Sequence, residues 1–191
     1  MLTTLNSKYS IPGYESATVE QVPAEQKKAI NRALHAGRFP IVLAGTTGAG
    51  KTMAAACLYR RIATVMNSRP MWHRCDDLLS GMAFGQISGV QVDGVDDSGQ
   101  WVRQTVKHSV LVNKITNTEC LFLDDFCLEK PKPGMITQMF LLLERRLGKK
   151  TVITTNQTGA EIAKLYDDRI RDRLLAGTSV VFKGESRRGT P

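Results

Sequence analysis

The sequence has no apolar run long enough to cross a membrane. A spanning helix needs about 20 apolar residues in succession, and runs such as residues 39–44 (FPIVLA) are far shorter. The opening residues, MLTTLNSKYS, lack the charged start and apolar stretch of a secretory signal. We therefore expect a cytoplasmic protein with no membrane partner.

Cysteine is scarce and widely spaced. The four cysteines form no CxxC pair, and no histidine stands at metal-ligand spacing from them: they are Cys57, Cys75, Cys120 and Cys127. Cys57 and Cys120 fall in apolar segments, where a reduced cysteine behaves as a small hydrophobic residue. This pattern favours core filling over a metal or redox function.

Acidic residues are outnumbered by basic ones, 18 to 26, which gives a formal net charge of +8. A basic chain attracts polyanions, of which nucleic acid is the commonest, although solubility alone also explains such a charge. The hydrophobic content of 42% is enough for a core. We expect a lead-in segment at residues 1–23 and one domain at residues 24–191.

Short apolar runs alternate with helical patterns along the chain. The runs predict strands at residues 39–44, 71–75, 120–124, 150–155 and 178–183. Helical periodicity predicts helices at 24–36, 51–66, about 100–114, after Gly134, after Thr158, and at 168–176. A capping box of Thr158 and Glu161 begins one of them, and the glycine-rich residues 85–99 are expected to form a flexible loop. The alternation indicates an α/β fold with a parallel sheet covered on both faces.

Residues 45–52 match the phosphate-binding pattern G-x-x-x-x-G-K-[ST]. Its glycines allow a tight turn that brings backbone N–H groups to phosphate oxygens. Lys51 offers a charge to the β- and γ-phosphates, and Thr52 offers a hydroxyl to Mg²⁺. The predicted nucleotide-binding residues are Gly45, Thr46, Thr47, Gly48, Ala49, Gly50, Lys51, Thr52 and Met53. A buried-looking strand precedes the motif and an amphipathic helix follows it, as the motif requires.

Two acids end the apolar strand at residues 120–124. The carboxyl ends of parallel strands form the edge at which such sheets bind ligands. We expect Asp124, together with Thr52, to hold Mg²⁺. Asp125 is placed to orient or deprotonate the attacking water, although it is shorter than the glutamate usual at that place.

With these motifs the chain resembles an AAA+ ATPase of the DnaC/IstB helicase-loader group, over most of its length. AGTTGAGKT (44–52) is similar to the group's Walker A motif and LFLDDF (121–126) to its Walker B motif. IPGYESATVE (11–20) resembles the segment that lines the adenine pocket, and GESRR (184–188) loosely resembles the closing motif. The resemblance implies a Mg²⁺-dependent ATPase that uses ATP/ADP.

The resemblance also assigns residues that the pattern alone does not. It makes Asn156 the sensor that holds the water or the γ-phosphate. Arg173 becomes an arginine finger that enters a neighbour's site, supported by Arg169, which implies a head-to-tail homo-oligomer. Taken alone, Asn156 could be a turn residue, and the two arginines, four apart, a solvated basic helix face.

The chain differs from bacterial loaders in two expected features. Little sequence precedes the P-loop, so the N-terminal domain that grips the helicase is expected to be missing or supplied by another protein. No C-terminal lid domain is expected either, which is consistent with the resemblance because the loader group also lacks much of it. Loaders also carry an inserted helix that lines a channel for single-stranded DNA. Here its predicted counterpart holds Arg103, Lys107 and Lys114, close to Trp101 and His108, although a solvated charged face explains this set equally well.

The leading interpretation is an ATP-dependent DNA-replication ATPase that assembles on single-stranded DNA and remodels or loads a replicative helicase. An IstB-like transposition helper, which would hand duplex DNA to a transposase, is the alternative, and the DNA form that is bound would separate the two. A P-loop small-molecule kinase would need an acceptor for phosphate release. A DNA-binding module with a purely structural nucleotide site would survive replacement of Lys51.

Overall fold

The computed structural model describes residues 11–65, 68–84, 90–95, 100–127 and 130–183. The strands in these ranges are β1 (Ile41–Gly45), β2 (Met71–Arg74), β3 (Val90–Val95), β4 (Trp101–Val106), β5 (Cys120–Phe126), β6 (Lys150–Thr155) and β7 (Thr178–Phe182). The helices are α1 (Ala24–Ala36), α2 (Lys51–Val65), α3 (Cys75–Phe84), α4 (His108–Asn117), α5 (Pro133–Arg145), α6 (Gly159–Leu165) and α7 (Asp168–Leu175).

Five of the strands form one parallel sheet in the order β2-β5-β6-β1-β7. Because parallel neighbours cannot be joined by a tight turn, helices carry the chain from one strand to the next. All five strands therefore end at the same edge of the sheet. The P-loop follows β1 at this edge, and the two acids lie near the end of β5. The prediction of a parallel α/β sheet is confirmed.

The side chains of the sheet alternate between two cores. Leu121, Leu123 and Ile153 pack with α3, α5, α6 and α7 on one face. Phe122 and Val152 pack with α1 and α2 on the other face. The sheet is thus covered on both sides, as the continuous apolar strands require.

An aromatic cluster fixes α2 on the sheet. The rings of Trp72 and Phe122 stack with centroids 5.5 Å apart, and Tyr59 of α2 meets both rings edge-on. All three side chains are buried. Because α2 begins at the last residues of the P-loop, this packing also fixes the position of the loop.

Most predicted elements lie where the sequence placed them. α1 and β6 have the predicted bounds, and the other strands of the sheet differ by one or two residues at their ends. The capping box is confirmed, because the Thr158 hydroxyl accepts a bond from the Glu161 amide and the Glu161 carboxylate accepts one from the Thr158 amide.

The helix predicted at about 100–114 is wrong. Residues 101–106 form β4, which pairs antiparallel with β3, and α4 begins only at His108. Each residue of β4 has a partner in β3, and this pairing prevails over the local helical pattern. β3 also occupies part of the expected loop at 85–99, whose residues 85–89 and 96–99 lie outside the described ranges.

The predicted basic helix face is wrong for the same reason. Arg103 lies on a strand, Lys107 precedes α4, and only Lys114 is helical. The Trp101 side chain and the GESRR segment (184–188) lie outside what the structure describes.

The four cysteines lie in the core, as the sequence predicts. All four cysteines are buried free thiols. The described part of the lead-in packs onto the domain, since Ile11, Ala17 and Val22 are buried in the same core as α1 and α2. Among the described helices, none has the length and apolar character needed to cross a membrane.

Candidate nucleotide-binding site

The P-loop joins β1 to α2 and needs its glycines. A Cβ on Gly45 would lie 2.2 Å from the carbonyl oxygen of Phe182 in β7, so no larger residue fits there. Gly48 and Gly50 have φ angles of 80° and 95°, in the left-handed region that favours glycine. The loop then enters α2 at Lys51, so the amides of the first helical turn face the loop.

The Lys51 side chain lies against the P-loop, where it is expected to bind phosphate. It is buried, and its Nζ donates a hydrogen bond to the carbonyl oxygen of Thr46 at 2.7 Å. A buried ammonium group is stabilised by such acceptors or by an anion. The loop therefore presents a positive charge where a phosphate would lie.

A cavity of about 250 Å³ opens beside the loop. Eight of the predicted site residues line it: Thr47, Gly48, Gly50, Lys51, Thr52, Met53, Asp125 and Asn156. The lead-in contributes Gly13, Tyr14, Ser16, Ala17 and Gln21 to the same cavity. The structure thus brings together the P-loop, the second acid and Asn156, the predicted sensor, and adds the lead-in as a further wall.

Three predicted nucleotide-binding residues do not line this cavity. Gly45 and Thr46 line a neighbouring, largely apolar cavity behind the loop, which Asn156 also borders. Ala49 is buried and supports the loop from within.

Asp124 lies on β5, beside the cavity. It is buried, its Oδ1 accepts a hydrogen bond from Thr154 Oγ1 at 2.6 Å, and its carboxylate is also hydrogen-bonded to the Thr52 side chain. Burial raises the pKa of Asp124 to about 6, and the nearby Asp125 charge adds to this, while both hydrogen bonds oppose it. The carboxylate is therefore placed where a cation would restore its charge.

The donors Thr52 and Asp124 fit a Mg²⁺ ion. Within the described ranges, no three His, Cys, Asp or Glu side chains cluster as a complete metal site. Mg²⁺ is usually bound by one or two carboxylates together with nucleotide phosphates and water. One buried carboxylate bonded to the P-loop hydroxyl is the donor set that this arrangement needs.

Asp125 is held in a strained backbone conformation. Its φ angle is 56°, uncommon for a residue other than glycine, and the β5–β6 register shifts between Leu123 and Phe126. The Asp125 amide donates to Thr154 Oγ1 at 2.9 Å. The irregularity places two adjacent acids in different surroundings, since Asp124 is buried beside Thr52 while Asp125 lines the cavity.

Thr154 is a site residue that the sequence analysis missed. Its hydroxyl donates to Asp124 and accepts from the Asp125 amide, so one buried side chain fixes both acids. The available signal was two threonines at the end of a buried strand, where apolar residues would be expected.

The structure does not bring the two arginines of α7 into the cavity. The Arg173 guanidinium is hydrogen-bonded to Glu144 of α5. Arg169 lies 4.6 Å from the centre of the Phe140 ring and donates to Asp167 at 2.9 Å. Neither arginine lines the nucleotide cavity of its own chain.

Solved structures with the same architecture are available for comparison. No protein-family model matches the sequence, and no curated protein matches it. A DnaC helicase loader matches with a TM-score of 0.68 and 18% identity, over 91% of this chain and 100% of that one. DnaA from Aquifex aeolicus bound to AMPPCP matches with a TM-score of 0.68 and 19% identity, over 94% of this chain and 51% of that one.

A DnaA bound to AMPPCP and single-stranded DNA matches equally well, with a TM-score of 0.68 and 19% identity over 95% of this chain and 52% of that one. The chain therefore spans about half the length of these DnaA structures. At such identities the likeness concerns the fold. The chain has the AAA+ P-loop fold, in a form like that of DnaC and DnaA, and the predicted fold class is confirmed.

Proposed function

We propose that the chain is a replication-related AAA+ ATPase that binds ATP with Mg²⁺ and hydrolyses it. The observation that carries this proposal is the shared cavity, in which Lys51 and Thr52 face Asp125 and Asn156. The Asp124 carboxylate is hydrogen-bonded to the Thr52 side chain. Phosphate-binding, metal-binding and water-orienting groups therefore converge from three neighbouring strand ends.

Each group has a chemical task in this proposal. The loop amides and Lys51 bind the β- and γ-phosphates and favour the charge that develops there. Thr52 and Asp124 would hold Mg²⁺, which supplies positive charge to the phosphate oxygens when it is bound. Asp125 and Asn156 orient the attacking water, and Asp125 accepts its proton.

Arg173 acts in a neighbouring copy in this proposal, with Arg169 beside it. Neither side chain lines its own cavity, while an arginine finger has to reach the transferred phosphate. A head-to-tail homo-oligomer would bring α7 of one copy to the cavity of the next. Arg173 would then exchange its bond to Glu144 for one to the γ-phosphate.

The proposed DNA function rests on the fold and on charge. The matched structures include a helicase loader and a DnaA bound to single-stranded DNA, and the net charge of +8 suits a polyanionic partner. The part of the chain expected to line a DNA channel contains the β3–β4 hairpin, on which Arg103 is exposed. We propose that the assembly binds single-stranded DNA and acts on a replicative helicase.

The test measures phosphate release and oligomeric state with ATP and Mg²⁺, alone, with single-stranded DNA and with duplex DNA of the same length. We expect release without any added acceptor, and stimulation together with assembly on single-stranded DNA. A requirement for an acceptor would indicate a kinase, and preference for duplex would indicate a transposition helper. Full DNA-dependent activity in Lys51→Ala would show that the nucleotide site has only a structural function.

A further inference from the structure

Arg60 bridges the P-loop helix and the lead-in segment. It lies on α2, where it is half-buried, and its guanidinium group donates to three backbone carbonyls of the lead-in. The distances are 2.8 Å to Ala17, 3.0 Å to Tyr14 and 3.3 Å to Glu15. A planar guanidinium can bond several acceptors at once, which a lysine ammonium on its flexible stem does less well.

These carbonyls belong to a segment without regular secondary structure. Residues 11–17 form two successive turns, in which Tyr14 N–H donates to Ile11 and Ala17 N–H donates to Tyr14. Gly13 adopts a φ angle of 80° at the first turn. Because the turns leave carbonyls outside any ladder, their conformation depends on what those carbonyls bond. Arg60 is the side chain on which three of them converge.

The same turns line the candidate nucleotide cavity together with residues of the phosphate loop. Gly13, Tyr14, Ser16 and Ala17 all line that cavity. If the P-loop holds the phosphates, the lead-in wall faces the ribose and the base. The three hydrogen bonds of Arg60 therefore tie the base-facing wall to the helix that carries Lys51.

We infer that Arg60 is a positioning residue that sets the affinity for the nucleoside part of ATP and not for its triphosphate. The inference rests on the proposed nucleotide site. Without Arg60 the turns lose the hydrogen bonds that hold them to α2. The bound nucleotide then has to order this segment itself, and the cost of ordering lowers its affinity. Inorganic triphosphate contacts only the P-loop and does not need the wall.

The experiment compares two ligands on the full chain by calorimetric titration in the presence of Mg²⁺. The ligands are ATP and inorganic tripolyphosphate, and the main variant is Arg60→Ala. The matched control is Arg61→Ala, because Arg61 is the exposed neighbour on the same helix and bonds Asn31 instead of the lead-in. Arg60→Lys keeps the charge without the fork, and thermal unfolding monitors the fold of each variant.

We expect Arg60→Ala to bind ATP about tenfold more weakly, since charge-assisted hydrogen bonds are lost, and to bind tripolyphosphate as before. Arg60→Lys should lie between the two, and Arg61→Ala should match the unmodified chain for both ligands. If Arg60→Ala does not fold, the Lys variant gives the same comparison of ligands.

Equal losses for ATP and tripolyphosphate would overturn the inference, because Arg60 would then act on the P-loop or on the fold as a whole. Unchanged ATP affinity would overturn it as well. Failure of the nucleotide site itself has a different signature: the unmodified chain would bind neither ligand, or Lys51→Ala would bind both normally.

Discussion

Arg173 of α7 donates a hydrogen bond to the carboxylate of Glu144, which lies near the end of α5. The two residues are 29 positions apart, so the contact depends on the packing of α5 against α7. Their side chains are 41% and 33% exposed. An ion pair this exposed is screened by solvent and contributes little to stability, so a phosphate group can displace it.

Replacement of Glu144 by Gln should therefore free Arg173 for the neighbouring site. We expect ATP turnover at limiting protein concentration to rise by up to about fivefold, the range that an exposed pair can supply. Steady-state phosphate release against protein concentration measures this. Glu25→Gln is the control, because Glu25 pairs only at 3.6 Å with Lys28 on the exposed face of α1. Unchanged or lower turnover in Glu144→Gln would mean that the pair does not restrain Arg173.

Sharing of the site between subunits can be tested by mixing two inactive variants. Arg173→Ala should bind nucleotide but not turn it over, and Lys51→Ala should lack nucleotide binding but keep its finger. In a head-to-tail assembly of an equal mixture, about a quarter of the interfaces join an intact cavity to an intact finger. We therefore expect phosphate release to reappear on mixing. Normal turnover by Arg173→Ala alone would refute the shared site.

The raised pKa of Asp124 has a consequence for stability. Its ordinary value is 3.8 and its value in the folded chain is about 6, so between these pH values the folded chain binds more protons than the unfolded chain. The contribution of Asp124 to the free energy of unfolding therefore falls as the pH rises from about 4 to about 6. Above that range the buried charge lowers the free energy of unfolding by about 3 kcal/mol.

Asp124→Asn should accordingly raise the midpoint of thermal unfolding by several degrees at pH 8, in chelator and without nucleotide. The gain should be much smaller near pH 4, where the acid is protonated in the folded chain and partly protonated in the unfolded chain. The same variant should lose Mg²⁺-dependent turnover. A stability gain that is equal at both pH values would show that burial of the charge is not its cause.

Thr154 should affect hydrolysis more than nucleotide binding. In Thr154→Val the hydroxyl that fixes Asp124 and the Asp125 amide is lost, while the volume is kept. We expect turnover to fall by about 10- to 100-fold, as when residues that orient metal ligands are replaced, with ATP affinity changed much less. Thr137→Val, on the exposed side of α5, is the matched control. A parallel loss of affinity and turnover would argue against a positioning function.

The parts of the fold that follow from local patterns could be predicted from the sequence. Buried strands have continuous apolar runs, and the helices that follow them have clear periodicity. The spacing of glycine, lysine and threonine from Gly45 to Thr52 is specific to a phosphate-binding loop. β3 and β4 were missed because a hairpin depends on pairing between segments: the Val- and Thr-containing residues 101–106 become a strand only beside residues 90–95.

The same distinction between local patterns and distant contacts applies to the candidate site. The P-loop residues and the acids could be proposed as site residues because their types and spacing carry the chemistry. Contacts between distant residues could not, and these include the bonds of Thr154 to Asp124, of Arg173 to Glu144, and of Arg60 to the lead-in. Each joins groups whose separation in the sequence gives no signal, and each forms only once the sheet and its helices are packed.

The central claim is that the glycine loop and Asp124 together hold Mg²⁺-bound ATP for hydrolysis. The most direct measurement is steady-state phosphate release from ATP and Mg²⁺ by the unmodified chain, Lys51→Ala and Asp124→Asn, all shown to be folded. We expect release by the unmodified chain and at least a roughly 100-fold lower rate in each variant. Release that continues undiminished in both folded variants would contradict the claim.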